Sequence, residues 1–192
     1  MQRRIPNEQG FTLIELAIVL GVFAVIVAGI WMVVAVVYEN VHQYQANREI
    51  QSMVQNIRQL EQRITHFDTS NLSDITATLD TQTAFPIEMR QSEGTANGNL
   101  NNPWTTSGNS VHVFSRAATE FGIEFANLPK KSCIQIATKM SGGEISGLTG
   151  IGFNGSSPIL PTNLPLSVIS AATQCTSPTA NKIEWRFTLH GE

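Results

Sequence analysis

Few side chains in this 192-residue chain could do chemistry, and most are scattered. One carboxylate, Glu15, ends the run Gly10-Phe11-Thr12-Leu13-Ile14-Glu15 and abuts an uncharged apolar stretch from Leu16 to Tyr38. A carboxylate at the edge of hydrocarbon is costly and calls for a partner or a function. Cys133 and Cys175 are the only thiols. His42, His66, His112 and His190 occur singly, with no C-x-x-C or H-x-x-x-H spacing for zinc. Asp68, Asp74 and Asp80 lie too far apart for an EF-hand loop and read as solvated loop or cap residues. Gly150 to Gly155 match G-x-G-x-x-G, but Ser156-Ser157-Pro158 follow where a dinucleotide site needs a helix. These patterns give no catalytic residue, no cofactor and no metal site. The reading is not an enzyme.

The element around Glu15 is legible from length alone. Leu16 to Tyr38 are 23 residues without Asp, Glu, Lys or Arg. About 20 suffice to span a bilayer as a helix, and a secretory signal core of about 7–15 is shorter. Arg3 and Arg4 precede it, which predicts a cytoplasmic N-terminus and a body outside the cytosol. There a Cys133–Cys175 bridge would persist, closing a loop of about 40 residues worth roughly 4 kcal/mol. The alternative is two unrelated buried thiols. Gly21 and Gly29 are either helix-packing contacts or points where the helix unwinds.

Beyond Tyr38 the apolar positions Val41, Tyr44, Ile50, Met53, Val54, Ile57, Leu60, Ile64 and Phe67 predict an amphipathic continuation. No proline falls within residues 11–67, so one helix of about 57 residues is expected. Ile183 to Leu189 alternate as a half-buried strand, and 111–114, 122–125 and 134–137 are shorter strand candidates. Residues 117–121 are open between helix and strand. Thr69 to Asn109 reads mostly as loop with a helix near Leu72–Leu79, and Gly142 to Pro165 as loop. Trp104 beside Pro103 reads as a buried anchor. The fold class is α+β: a long N-terminal helix packed on a C-terminal antiparallel sheet. The chain carries 12 basic and 15 acidic residues, and without Arg3, Arg4 and Glu8 a mildly acidic body remains. No basic stripe supports specific nucleic-acid binding.

Gly10-Phe11-Thr12-Leu13-Ile14-Glu15, behind a basic leader and before an apolar helix, resembles the class III signal of type IV pilins and pseudopilins. The resemblance implies the type IV pilin fold, prepilin-peptidase cleavage after Gly10, and N-methylation of Phe11. It also implies pairing of Glu15 with Phe11 of a neighbouring subunit during assembly. Asn102-Pro103-Trp104, the run from Phe125 to Ile136 and the second cysteine are similar to PilS-like type IVb pilins, whose cysteines bound a C-terminal surface region. The ten-residue leader and Phe11 look more like type IVa. The implied organisation is a cleaved leader 1–10, a transmembrane and filament-core helix 11–38, an amphipathic half 39–67, and a head 68–192 with a disulfide-bounded region 133–175. The implied partners are identical subunits in a helical homopolymer, the prepilin peptidase, the inner-membrane assembly machinery, and the membrane before assembly. The expected location is the bacterial inner membrane, then an extracellular pilus for adhesion, cell contact or motility. The alternative is a minor pilin or a pseudopilin of a type II secretion system.

Overall fold

The computed structural model describes residues 12–62, 73–90, 98–105, 108–117, 119–143 and 145–190. The leader, Gly10, Phe11, His66, Asp68, and the expected helical positions Ile64 and Phe67 lie outside them. Helix α1 runs Leu13–Glu61, 49 residues. The chain divides into two units between Asn40 and Val41, each described here by itself.

In the first unit the helix is apolar all round. No residue of its most apolar 18-residue window is buried, and the helix is long and apolar enough to cross a membrane. In the second unit α1 buries one stripe: Ala46, Ile50, Met53, Val54 and Ile57. Val41 and Tyr44, the apolar positions ahead of that stripe, are exposed. At 3.6 residues per turn Val41 sits about half a turn from Ile50, and Tyr44 about a third of a turn.

Four strands follow: β1 (Val111–Ala117), β2 (Glu120–Leu128), β3 (Leu148–Phe153) and β4 (Asn181–Thr188). They form one antiparallel sheet in the order β1-β2-β4-β3. Alternation aims Phe121, Ile123 and Phe125 of β2 and Ile183, Trp185 and Phe187 of β4 into the same buried cluster as the α1 stripe. Phe125 meets Trp185 edge-on at 5.5 Å between centroids, and Phe121 meets Phe187 at 5.7 Å. Such pairs add about 0.5–1.5 kcal/mol each beyond burial. In the stretch open on sequence, Ala117 ends β1 and Glu120 and Phe121 begin β2, with Ala117 paired to Glu120.

On the opposite face, Glu124 and Glu184 stand directly across from one another. Like charges so placed are unfavourable unless neutralised. Lys182 pairs with Glu124 at 3.1 Å, while Arg116 and Arg186 both reach Glu184. Arg116 comes from β1 and crosses β2 at Gly122, where a Cβ would collide with the Glu184 carboxylate.

Three expectations change. Ile134–Ala137 is not a strand but part of α3 (Lys130–Met140). Its buried positions Cys133, Ile136, Ala137 and Met140 follow the helical period, which a four-residue window cannot show. The expected loop 142–165 contains β3, hidden because Gly150 and Gly152 supply no outward side chains. A Cβ at Gly150 would meet the Ile159 carbonyl at 3.1 Å, since residue 159 returns to pair with Ile151. Asp80 is not solvated: it is 1% exposed, pairs with Arg90 at 3.0 Å, and accepts from the Gly98 amide at 2.9 Å.

Helix α2 (Thr76–Thr81) lies within reach of the sequence estimate. Ahead of it, Ser73 to Thr76 cover the free edge of β1: the Ile75 amide donates to Val113 O at 2.8 Å and the Ser115 amide to Ser73 O at 3.0 Å. Asp74 accepts from the Thr76 amide and pairs with His112 Nδ1 at 2.9 Å. Burial pushes its carboxyl up, but the bonds from Thr76 and His112 outweigh that and hold it below its ordinary range.

Asp80→Ala would leave the Arg90 guanidinium buried without its counter-charge. The expected loss is about 3–5 kcal/mol of unfolding free energy by urea titration of the full chain in detergent. A loss under about 1 kcal/mol would show the pair to be idle.

Candidate assembly segment and disulfide-bounded region

Thr12 stands just before α1, and its carbonyl accepts the Leu16 amide at 3.2 Å as an N-cap carbonyl does. Its Oγ1 accepts from the Glu15 amide at 3.4 Å and donates to Glu15 Oε2 at 3.3 Å. Thr12-x-x-Glu15 is thus a variant capping box, with the carboxylate taking the cap hydroxyl instead of the cap amide. The carboxylate also lies in the first helical turn, where the helix dipole favours negative charge. Beyond the assembly role that the resemblance implies for Glu15, the T-x-x-E spacing is the sequence signal for this local one.

Around this carboxylate the first unit offers only apolar surface. Leu13 is 89% exposed, Trp31 70% and Met32 76%. So large a continuous patch requires lipid or other helices. A Cβ at Gly21 or Gly29 would meet nothing within 4 Å, so neither glycine is explained by contacts within one chain.

The second candidate region is bounded covalently. Cys133, in the first turn of α3, is bonded to Cys175, which follows α4 (Val168–Gln174). Both are fully buried, their Cα atoms are 6.0 Å apart, and they are 42 residues apart in sequence. The enclosed chain leaves through α3, adds β3 to the edge beside β4, and returns through α4. Polar side chains fix its path. Ser141 Oγ accepts from the Leu166 amide at 2.8 Å, and Asn154 joins Gln174 O to the Lys182 amide at 3.0 and 2.9 Å. Gln43 of α1 donates to Gln135 of α3. Leu160, Val168 and Ile169 are exposed on this region.

Asn102 explains the Asn-Pro-Trp motif. It is buried, donates to Ala126 O at 2.7 Å, and accepts from the Trp104 amide at 3.0 Å. Trp104 is half-buried, with its ring edge-on to His42 at 6.1 Å. The remaining polar signals are dispersed. His112 pairs with Asp74 and His190 approaches Glu61 at 3.5 Å. Among the described residues no three His, Cys, Asp or Glu side chains converge as a metal site. The glycine motif is strand β3 running into a turn, with no helix behind it.

A long helix on a four-stranded antiparallel sheet is the architecture of type IV pilins. The family described as PilS N terminal matches residues 39–188, more than half of the chain, and the prokaryotic N-terminal methylation motif matches residues 5–31. The chain therefore belongs to the PilS family of type IV pilins. Among solved structures it is similar to a type IVb pilin from Salmonella typhi, with 21% identity and a TM-score of 0.54, over 73% of this chain and 95% of that one. That similarity supports the fold. TcpA, a type IV pilin from Vibrio cholerae El Tor, aligns at 12% identity and a TM-score of 0.46, over 76% of this chain and 98% of that one. No curated protein sequence matches.

Cys133→Ser, Cys175→Ser and the double variant should each lose about 2–5 kcal/mol of stability, with midpoints that coincide. Thermal unfolding of the three full-length proteins tests this. A double variant much less stable than either single would show that the thiols act separately.

Proposed function

We propose that this chain is a structural subunit of a type IV pilus. The observation that carries the reading is a bare apolar helix, uncharged from Leu16 to Tyr38, whose first turn holds Glu15. The helix serves first as a single-pass anchor in the inner membrane, with the N-terminus in the cytoplasm. Hydrolysis after Gly10 by a prepilin peptidase turns the Phe11 amide nitrogen into an α-amino group, and methylation leaves that group cationic. In the assembled filament, Glu15 of one subunit takes the Phe11 amine of its neighbour as counter-charge. Inside a bundle of apolar helices an unpaired carboxylate would neutralise instead. The ion pair thus fixes axial register, a specificity role suited to a single buried pair. Membrane-embedded assembly machinery extracts the subunits, and the filament serves adhesion, cell contact or motility.

Two measurements test this. Intact-mass analysis of the protein from cells with an active prepilin peptidase should give a chain beginning at methylated Phe11. An uncut Met1 would overturn the reading. Glu15→Val should still insert into the inner membrane but yield no sheared surface fibres, a drop of at least about tenfold for a lost interaction of 1.4 kcal/mol or more. Wild-type fibre yield from this variant would remove Glu15 from the assembly step.

A further inference from the structure

Glu49 is the one carboxylate that α1 carries into the flank of its buried stripe, between Ala46, Ile50 and Met53. Its Oε2 is closed off from solvent and has no hydrogen-bond partner among the described residues. Two cavities, about 350 and 300 Å³, share Glu49 and Glu88 in their walls. Across them lie the 3-10 turn Ile87–Met89 and the stretch from Asn101 to Thr105.

The charged groups facing Glu49 do not neutralise it. Arg48, on its own helix, reaches Glu88 at 4.0 Å, with both side chains mostly exposed. Glu88, on the turn, has the same sign as Glu49. Arg90, just beyond the turn, is held by Asp80 at 3.0 Å. The stretch 101–105 adds no titratable group, and Asn101 Oδ1 is itself buried without a partner. His42, two turns earlier on α1, packs against Trp104. Burial first, and then Glu88, raise the Glu49 carboxyl from 4.5 to about 7, against the opposing pull of Arg48.

The outer edge of the turn, Pro86 to Glu88, is the part that stands out from the core, between buried Phe85 and Met89. Its N-terminal approach is pinned where Asn56 Nδ2 donates to Ala84 O at 2.9 Å, and its exit by the Arg90–Asp80 pair. The far wall is locked by Asn102 to Ser110 and Ala126. Between these locks Phe85 and Met89 are held in the core and Met89 O accepts the Asn101 amide at 2.7 Å, while the exposed edge between them carries the 4.0 Å Arg48–Glu88 pair.

We infer that Glu49 is a pH-sensitive latch: protonated, it lets the Ile87–Met89 turn close on α1, and ionised, it repels Glu88 across the two open clefts, loosening the outer edge of that turn while the rest of the head stays folded. The sign follows from linkage. A carboxyl raised in the closed form contributes stability that is fully present below pH 4.5 and is lost as the pH rises through about 7.

Hydrogen exchange on the full chain in detergent micelles, corrected for intrinsic rates, reads the turn directly through peptides covering residues 84–90. Between pH 5 and pH 8 the wild type should lose protection there on the order of tenfold, within what a shift of this size allows. Glu49→Gln, which mimics the protonated form, should show equal protection at both values. Glu88→Gln should move the wild-type midpoint downward. A pH-independent wild type, or a Glu49→Gln variant that changes by the same factor, overturns the latch; so does a midpoint unmoved by Glu88→Gln.

Discussion

The stripe Ala46-Ile50-Met53-Val54-Ile57 against the inner face of the sheet is the contact on which the rest of the head depends. It turns a helix that could stand alone in lipid into one side of a soluble core. The buried apolar residues of the inner face, such as Phe121, Ile123 and Phe125 of β2 and Ile183, Trp185 and Phe187 of β4, are placed by the need to cover it. The same contact aims the polar flanks of α1. Arg58, half-buried beside the stripe, donates to Thr188 O at 3.0 Å and Ser146 O at 2.8 Å, binding the end of β4 and the approach to β3. Burial lowers the pKa of that guanidinium, the expected response of a cation offered carbonyls and no carboxylate.

Charge is distributed by solvent. Before its uncharged run Leu16–Tyr38, α1 carries one carboxylate, Glu15, which its own helix cap bonds. The head places its buried carboxylates where each has an assigned cation: Asp80 with Arg90, Glu124 with Lys182, and Glu184 with two arginines. Glu49 departs from that rule, which is why it behaves differently from the others.

How much could be read from residues alone depended on what each element shows to a window of sequence. The apolar run to Tyr38 and the alternation of Ile183 to Leu189 are signals of composition and period, and both correspond to observed elements. α3 was misread because its helical period emerges only over a full eleven residues. β3 was missed because its outward positions are glycines, chosen by the chain that returns against them, a tertiary cause with no local trace. The burial of Asp80 depends on Arg90 and Gly98, ten and eighteen residues away, so no local pattern reports it. The bridge between Cys133 and Cys175 followed from cysteine count and context, yet its wrapping of an edge strand was not legible.

That wrapping has a further consequence. Residue 159 occupies the outer side of β3, and Ser73 to Thr76 occupy the outer side of β1. Neither flank of the sheet offers a ready row of unpaired amides and carbonyls at these positions, so a neighbouring head finds little template for strand exchange. Heads crowded at high local concentration can then touch without fusing. The exterior of the head is then a surface whose sequence can drift, vary or be remodelled without exposing a strand edge at these positions.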